Sequence, residues 1–260
     1  MTNESTDALV PNGPFRWGAA SDIGRLRDEN QDTFIVEPEV GLFLVSDGMG
    51  GHRGGTLAAN IVAEDLPVMI ETKLHEMKSS SPRAIRVLFK KTIIEQSRQL
   101  RLEGTSETGY KGMGATLVMA LLKDGRAYVA NLGDSRMYRF RKERLTQLTK
   151  DHSVVSELLS KGQIRPEEAE NHADADQITC YVGMEERITP HIRSFGLKKG
   201  DRLLLCTDGL TTMASDAEIS KILGSHHDVN AACKALVQAA NAAGGYDNVT
   251  AVIVDWNGRS

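Results

Sequence analysis

Apolar residues fall along this chain in two rhythms. Short unbroken runs closed off by glycine, aspartate or asparagine mark strands buried on both faces. They are Leu42-Phe43-Leu44-Val45, Leu117-Val118-Met119-Ala120-Leu121-Leu122, Leu203-Leu204-Leu205 and Val249-Thr250-Ala251-Val252-Ile253-Val254. With weaker segments they predict strands over residues 15–21, 33–36, 42–45, 115–122, 127–132, 188–195, 202–207 and 249–254. Lys123-Asp124-Gly125 predicts a hairpin turn. Residues 135–141 alternate Met137, Arg139 and Arg141 against Arg136, Tyr138 and Phe140, which predicts a half-exposed strand. After a turn at residues 141–144 it is expected to extend one antiparallel meander.

The second rhythm is helical. Leu57, Ile61 and Val62 predict a helix over residues 56–66 that Pro67 interrupts. Ser79-Ser80-Ser81-Pro82 opens another, with Ile85, Leu88, Phe89 and Ile93 on one face as far as about Leu102. Val154, Val155, Leu158 and Leu159 give a short amphipathic helix stopped by Gly162, and Pro166-Glu167-Glu168 begins the next, so residues 151–177 read as an excursion from the sheet. Ser215-Asp216-Ala217-Glu218 is a capping box for a helix through Leu223, and residues 230–243 form an alanine-rich helix closed by Gly244-Gly245. Runs of antiparallel strands interrupted by helix pairs argue for an α+β layered domain rather than an alternating doubly wound one.

Composition narrows the classes. The 260 residues are 40% hydrophobic and 25% charged, an ordinary globular balance. Thirty-one basic against thirty-five acidic side chains leave a net charge of −4, which offers no overall field for nucleic acid or an anionic membrane. Cys180, Cys206 and Cys233 are odd in number and without CxxC spacing, against a disulfide framework or a zinc site, so a cytoplasmic protein is expected. Residues 1–13 read as a short disordered lead without a secretory signal, and residues 14–257 as the folded domain. No apolar run approaches the roughly 20 residues needed to cross a bilayer.

The chemistry is concentrated where the apolar runs end. Asp47-Gly48 follows one run, Asp208-Gly209 another, Gly133-Asp134 a third, and Asp247-Asn248 precedes the last. A single Asp-Gly is commonly only a turn. Several carboxylates at strand ends on one edge of a sheet would repel one another, and a divalent cation among them removes that cost. Asp47, Asp208 and Asp247 with a glycine carbonyl such as Gly48 make an all-oxygen set, which selects Mg²⁺ or Mn²⁺ over zinc or copper. Two such ions can activate water and neutralise a phosphoryl group, and Arg27 is the arginine available to hold that phosphate.

Taken in order, Arg27-x-x-Asn30-Gln31-Asp32, Asp47-Gly48-Met49-Gly50-Gly51, Gly112-Met113-Gly114-Ala115-Thr116, Gly133-Asp134-Ser135-Arg136, Thr149-x-Asp151-His152-Ser153, Thr207-Asp208-Gly209 and Asp247-Asn248-Val249-Thr250 resemble the bacterial branch of the metal-dependent PP2C (PPM) serine/threonine phosphatases. The resemblance covers roughly residues 15–256. It implies a four-layer αββα sandwich of two antiparallel sheets with helices outside and a helical flap over residues 151–183. It implies two tightly bound Mn²⁺ or Mg²⁺ ions held by Asp47, Gly48, Asp208 and Asp247, and a third, weaker ion at Asp134 with Asp208. Arg27 would bind phosphate, and Asp32 would orient metal-bound water. The implied partners are phosphorylated proteins and a cognate Ser/Thr kinase, with the chain acting as a monomer.

Three departures from the family pattern stand out. Met49 occupies the place of a histidine that animal members use as a general acid, Thr56 follows His52-Arg53-Gly54-Gly55 where many bacterial relatives have glutamate, and Cys180 replaces a common arginine. None removes an expected ligand. Alternative readings are a phosphoprotein-binding adaptor without turnover, and a regulatory phosphatase of an anti-sigma antagonist.

Overall fold

The computed structural model describes residues 14–106, 110–169 and 172–258, so the expected disordered lead lies outside the described residues. The strands are β1 (Phe15–Asp22), β2 (Asp32–Glu37), β3 (Leu42–Met49), β4 (Gly114–Ala115), β5 (Leu117–Lys123), β6 (Arg126–Leu132), β7 (Arg136–Arg141), β8 (Arg144–Gln147), β9 (His191–Gly196), β10 (Asp201–Cys206) and β11 (Val249–Trp256). The helices are α1 (Gly51–Glu76), α2 (Pro82–Ser106), α3 (Val154–Ser160), α4 (Pro166–Ala169), α5 (Asp208–Thr211), α6 (Asp216–Ser225) and α7 (Val229–Ala242).

The strands form two antiparallel sheets, ordered β1-β11-β10-β7-β8 and β2-β3-β5-β6-β9, with β4 paired to the end of β3. Their apolar runs are unbroken because both faces of each central strand are covered. Leu42 and Leu44 pack outward against α1 and α2, whereas Phe43 and Val45 point into the layer between the sheets. On the other sheet Leu204 and Ile253 face α6 and α7, and Leu203, Leu205, Val252 and Val254 face inward. Three apolar layers thus separate four layers of structure, helices, sheet, sheet and helices, as expected of the α+β sandwich.

Three local expectations are corrected. Pro67 does not end its helix: α1 runs to Glu76 with Pro67 inside it. Ala63, Leu66, Pro67 and Ile70 are all buried, so the apolar face continues through the proline. Burial at about 1.5–3 kcal/mol per large side chain outweighs the roughly 3 kcal/mol that an internal proline costs. The single meander is also wrong. β5 and β6 form the expected hairpin, with Asp124 and Gly125 both at positive φ, but β7 and β8 belong to the other sheet. The chain changes sheets at residues 133–135, and β7 buries Met137 between the sheets and Tyr138 and Phe140 under the helices, so it is not half-exposed. Finally, α5 is an unpredicted helical turn that begins at Asp208 itself.

The helix signals at Ser81 and Ser215 are borne out by hydroxyl oxygens that accept from the Ala84 and Glu218 amides, and Ser153 and Asp228, which carried no expectation, cap α3 and α7 by accepting from the Ser156 and Ala231 amides.

Candidate metal centre and active site

Antiparallel pairing brings the acids to one end of the sandwich. β2 begins at Asp32, β3 carries Asp47 near its finish, and the two stand opposite one another in register. β10 finishes one residue before Thr207-Asp208, β11 starts just after Asp247-Asn248, and the sheet change between β6 and β7 supplies Asp134. All five expected acids therefore share one floor, though Asp47 lies inside its strand rather than beyond it.

Neutral side chains knit that floor together. Thr116 is the central knot: its hydroxyl accepts from the Asp47 amide at 3.0 Å and lies 2.7 Å from the Ser135 hydroxyl, while its own amide donates to the Asp47 carbonyl at 2.8 Å. The first aspartate motif is thus locked to the corner that presents Asp134. Asn248 does the same for the charged loop, donating to the Ile23 and Glu29 carbonyls at 2.9 Å each and accepting from the Gln31 amide at 2.8 Å. Two glycines are required by close approach: a Cβ on Gly48 would sit 2.0 Å from the Gly55 carbonyl oxygen, and one on Gly209 2.0 Å from that of Asn248. The Asp-Gly pairs are therefore places where two backbones touch.

The electrostatics are those of an anionic cluster short of cations. Burial, aided by the neighbouring carboxylates, lifts Asp32 to about 7, Asp134 to about 8 and Asp208 to about 6, and holds Asp47 well above the ordinary carboxylate range. Asp32 Oδ2 accepts from the Thr207 hydroxyl at 2.8 Å, but Asp32 Oδ1, Asp134 Oδ1 and Asp208 Oδ1 are buried without a hydrogen-bond partner. Orphaned carboxylate oxygens at this density are costly unless a cation completes them. Among the described residues no three His, Cys, Asp or Glu side chains close around one point as a finished site. The oxygens are instead spread along a shared floor, an all-oxygen donor set that fits hard cations whose remaining positions are filled by water.

Arg27 reaches this end as expected, but its Nη2 donates to Asp247 Oδ2 at 2.8 Å, with the guanidinium about half exposed. It lines a cavity of about 570 Å³ together with Leu26, Asp47, Gly48, Met49, Asp247 and Ile178. A second cavity of about 680 Å³ is lined by Asp134, Arg136, Asp151, Asp176 and Asp208.

The segment 151–183 contributes to the lining of both. Its ends are fastened: the Thr179 amide donates to the His152 carbonyl at 2.8 Å, Val182 and Ala115 exchange backbone hydrogen bonds, and the Gly183 amide donates to Ser97 Oγ at 2.9 Å. Its helices α3 and α4 bury no residue. Asp176 and Ile178, two positions apart, line different cavities, and the Asp176 charge contributes to the rise of Asp208.

Several residues of the site stand inside the quoted motifs or the excursion without any role that the sequence assigns them. Thr116, Thr207 and Asn248 act through neutral hydrogen bonds across long separations, for which no local pattern exists. Arg136 is held by Asp151 at 2.8 Å, an ion pair that joins two motifs adjacent only in space. Asp176 had no signal beyond being an acid within the excursion.

Comparison with known proteins agrees with this geometry. The model of the family described as Protein phosphatase 2C matches residues 26–252. The chain is 37% identical over 241 residues to Protein phosphatase PhpP of Streptococcus pneumoniae, covering 91% of this chain and 96% of that protein. The crystal structure of serine/threonine phosphatase Stp1 from Staphylococcus aureus superposes with a TM-score of 0.84 at 30% identity, covering 96% of this chain and 98% of its own. The catalytic domain of the phosphatase PstP, solved in complex with two manganese ions, gives a TM-score of 0.77 at 30% identity over 93% of this chain and 97% of its own.

Proposed function

The chain belongs to the protein phosphatase 2C family and is a serine/threonine protein phosphatase, and from that premise we infer which residues do the work. The carboxylates of Asp47, Asp208 and Asp247 with the Gly48 carbonyl would hold two Mn²⁺ or Mg²⁺ ions, and Asp134 with Asp208 would take a third. Bound there, such ions neutralise the phosphoryl oxygens and lower the pKa of water. The observation that carries this reading is the row of buried carboxylate oxygens left without partners on Asp32, Asp134 and Asp208. The two manganese ions of the PstP domain support it.

The chain's own groups supply the rest. Asp32, fixed through one oxygen by Thr207 and standing opposite Asp47 in register, has its other oxygen without a hydrogen-bond partner, and it would orient a water molecule and accept its proton. Arg27 offers planar donors to a phosphate; one is engaged by Asp247, and the guanidinium is open to the cavity. Met49 has no proton to give, so the leaving alkoxide takes one from water or acids facing the cavity. The orphan oxygen on Asp134 makes it the acid best placed to hold that donor.

Substrates of this class are phosphoserine and phosphothreonine proteins, and a cytoplasmic Ser/Thr kinase is the natural source of them. A cytoplasmic location is supported by three free, buried thiols, Cys180, Cys206 and Cys233, and a monomer is the oligomeric state we propose. Among the described residues no helix is long and apolar enough to cross a membrane. The test is phosphate release from a phosphothreonine peptide with Mn²⁺ and after chelation. Release that persists unchanged in chelator, or that is missing in both, defeats the reading.

A further inference from the structure

At one flank of the sandwich the edge strands β8 and β9 face each other across the layer between the sheets, and that seam is filled with arginine. Arg139 and Arg141 lie on the face of β7 that also carries inward-pointing Met137. Arg144 is paired with Arg141 in register on β8. From β9 come Arg193 and Phe195, and the Phe195 ring is flanked by the guanidinium carbons of Arg139 at 5.5 Å and Arg193 at 5.9 Å.

One acid answers these four cations. Asp201 is ion-paired to Arg141 through both carboxylate oxygens and also accepts from the Lys198 amide. Arg193 Nη1 donates to the Leu148 carbonyl at 3.0 Å, and Arg144 is exposed. Arg139 Nε is buried without a hydrogen-bond partner. Burial and the charges of Arg141, Arg193 and Arg144 all push the Arg139 guanidinium below its ordinary value, as expected where positive charge is uncompensated. Stacking on Phe195 accounts for Arg139 and Arg193 as a cover over the core, and Asp201 accounts for Arg141, but neither accounts for the exposed Arg144 beside them or for the unpartnered Arg139 Nε, in a chain whose net charge is −4.

We propose that this seam is an anion-binding exosite in which Arg139, Arg144 and Arg193 receive a carboxylate side chain of the protein substrate while its phosphorylated residue lies at the aspartate cluster. The proposal rests on the phosphatase reading above. Guanidinium suits the role because its planar donors match an oxyanion bidentately. The geometry suits it as well: Arg136, on the opposite face of β7, stands at the metal end of the strand, and Arg139 lies three residues on, roughly 10 Å along the strand at about 3.3 Å per residue. Adding the span from Arg136 to the aspartates, an extended substrate would place its anionic side chain about four to six residues from the phosphorylated one. The strap from Leu148 to Asp151 joins the two places, anchored to Arg193 at Leu148 and to Arg136 at Asp151.

The test uses the Mn²⁺-loaded full chain and a phosphothreonine peptide with glutamates about four to six residues to either side, against the same peptide with glutamines. The wild type should show a KM about fivefold lower for the acidic peptide, and Arg144→Glu/Arg193→Glu, at two exposed positions, should abolish that preference. Turnover of para-nitrophenyl phosphate and of the glutamine peptide should stay within about twofold. A wild type without preference, or a preference that survives the variant, overturns the exosite. So does a variant that loses the small ester equally, since the seam would then be supporting the site. If inorganic phosphate, too dilute to inhibit para-nitrophenyl phosphate, erased the preference, the seam would be a small-anion site and the proposal wrong. Failure of the phosphatase reading itself would appear separately, as no turnover of either peptide by the wild type.

Discussion

Thr207 Oγ1 donates to Asp32 Oδ2 at 2.8 Å and accepts from the Thr250 amide at 3.0 Å, so one buried hydroxyl ties the strand that bears Asp32 to two neighbours in the opposite sheet. Thr207→Val keeps the shape and removes both bonds. It should lower kcat at least tenfold with KM for para-nitrophenyl phosphate little changed, because Asp32 loses its orientation while Arg27 is untouched. Leaving a buried acceptor and a buried amide unsatisfied should also cost about 1–3 kcal/mol of stability. Urea denaturation beside steady-state kinetics separates the two effects; a rise in KM at constant kcat would mean that Asp32 serves binding instead.

The acid cluster makes a signed prediction for the metal-free protein. Asp208, Asp32 and Asp134 titrate at about 6, 7 and 8 when folded, against about 4 when unfolded. Between those limits the folded state binds more protons than the unfolded one, so stability is greatest below about pH 4 for these groups and is lost as pH rises through the folded values. In chelator, the melting temperature should therefore fall between about pH 5.5 and 8.5, by an amount on the order of a few kcal/mol in free energy. Saturating Mn²⁺ should reverse the slope, because the ions bind the deprotonated acids. Scanning calorimetry in both conditions decides it; parallel curves would detach the acids from metal binding.

Asp208→Asn carries the same logic to one residue. Its Oδ1 is a buried orphan and its charge adds to that of Asp47 and Asp134. Without metal the variant should be more stable than the wild type at about pH 8, by roughly 1–2 kcal/mol, since repulsion is relieved at nearly constant shape. With Mn²⁺ the order should invert and turnover should fall by several orders of magnitude. A variant less stable in both conditions would show that the carboxylate serves the fold rather than the ions.

Much of this was legible along the chain because the strands are covered on both sides. Unbroken apolar runs announced β3, β5, β10 and β11, and the acids at their ends announced the site. What stayed hidden depends on distance in the chain. Nothing local marks β7 as crossing to the other sheet, since Met137 and Tyr138 are each satisfied on opposite faces only in the assembled sandwich. Pro67 misled because the burial of Leu66 and Ile70 is a tertiary term that a local rule cannot weigh. Nothing local marks the pairing of Arg27 with Asp247, which spans 220 positions.

Asp134 offers the sharpest remaining test. It stands at the corner where the chain changes sheets, which is also where a turn-forming aspartate would be placed for backbone reasons alone. Its carboxylate does take a hydrogen bond from the Asp134 backbone amide, as a turn aspartate's would, but the buried, unpartnered Oδ1 and the folded pKa of about 8 are not explained by that role. Asp208 adjoins it, and Asp176 brings a third carboxylate to the same cavity from the flap. If these acids share a third, weaker ion, Asp134→Ala should retain two tight Mn²⁺ sites and lose the weak one in a calorimetric titration. Turnover should fall about tenfold or more at saturating Mn²⁺, with a pH profile displaced from that of the wild type. Asp176→Asn should raise the Mn²⁺ concentration needed for half-maximal activity and leave the two tight sites in place, since an exposed carboxylate on a surface flap contributes less than a buried one. Two weak-site losses with both tight sites kept would tie the flap to the ion; an Asp134→Ala protein with wild-type kcat from about pH 6 to 9 and an unchanged titration would return that residue to the backbone corner it occupies.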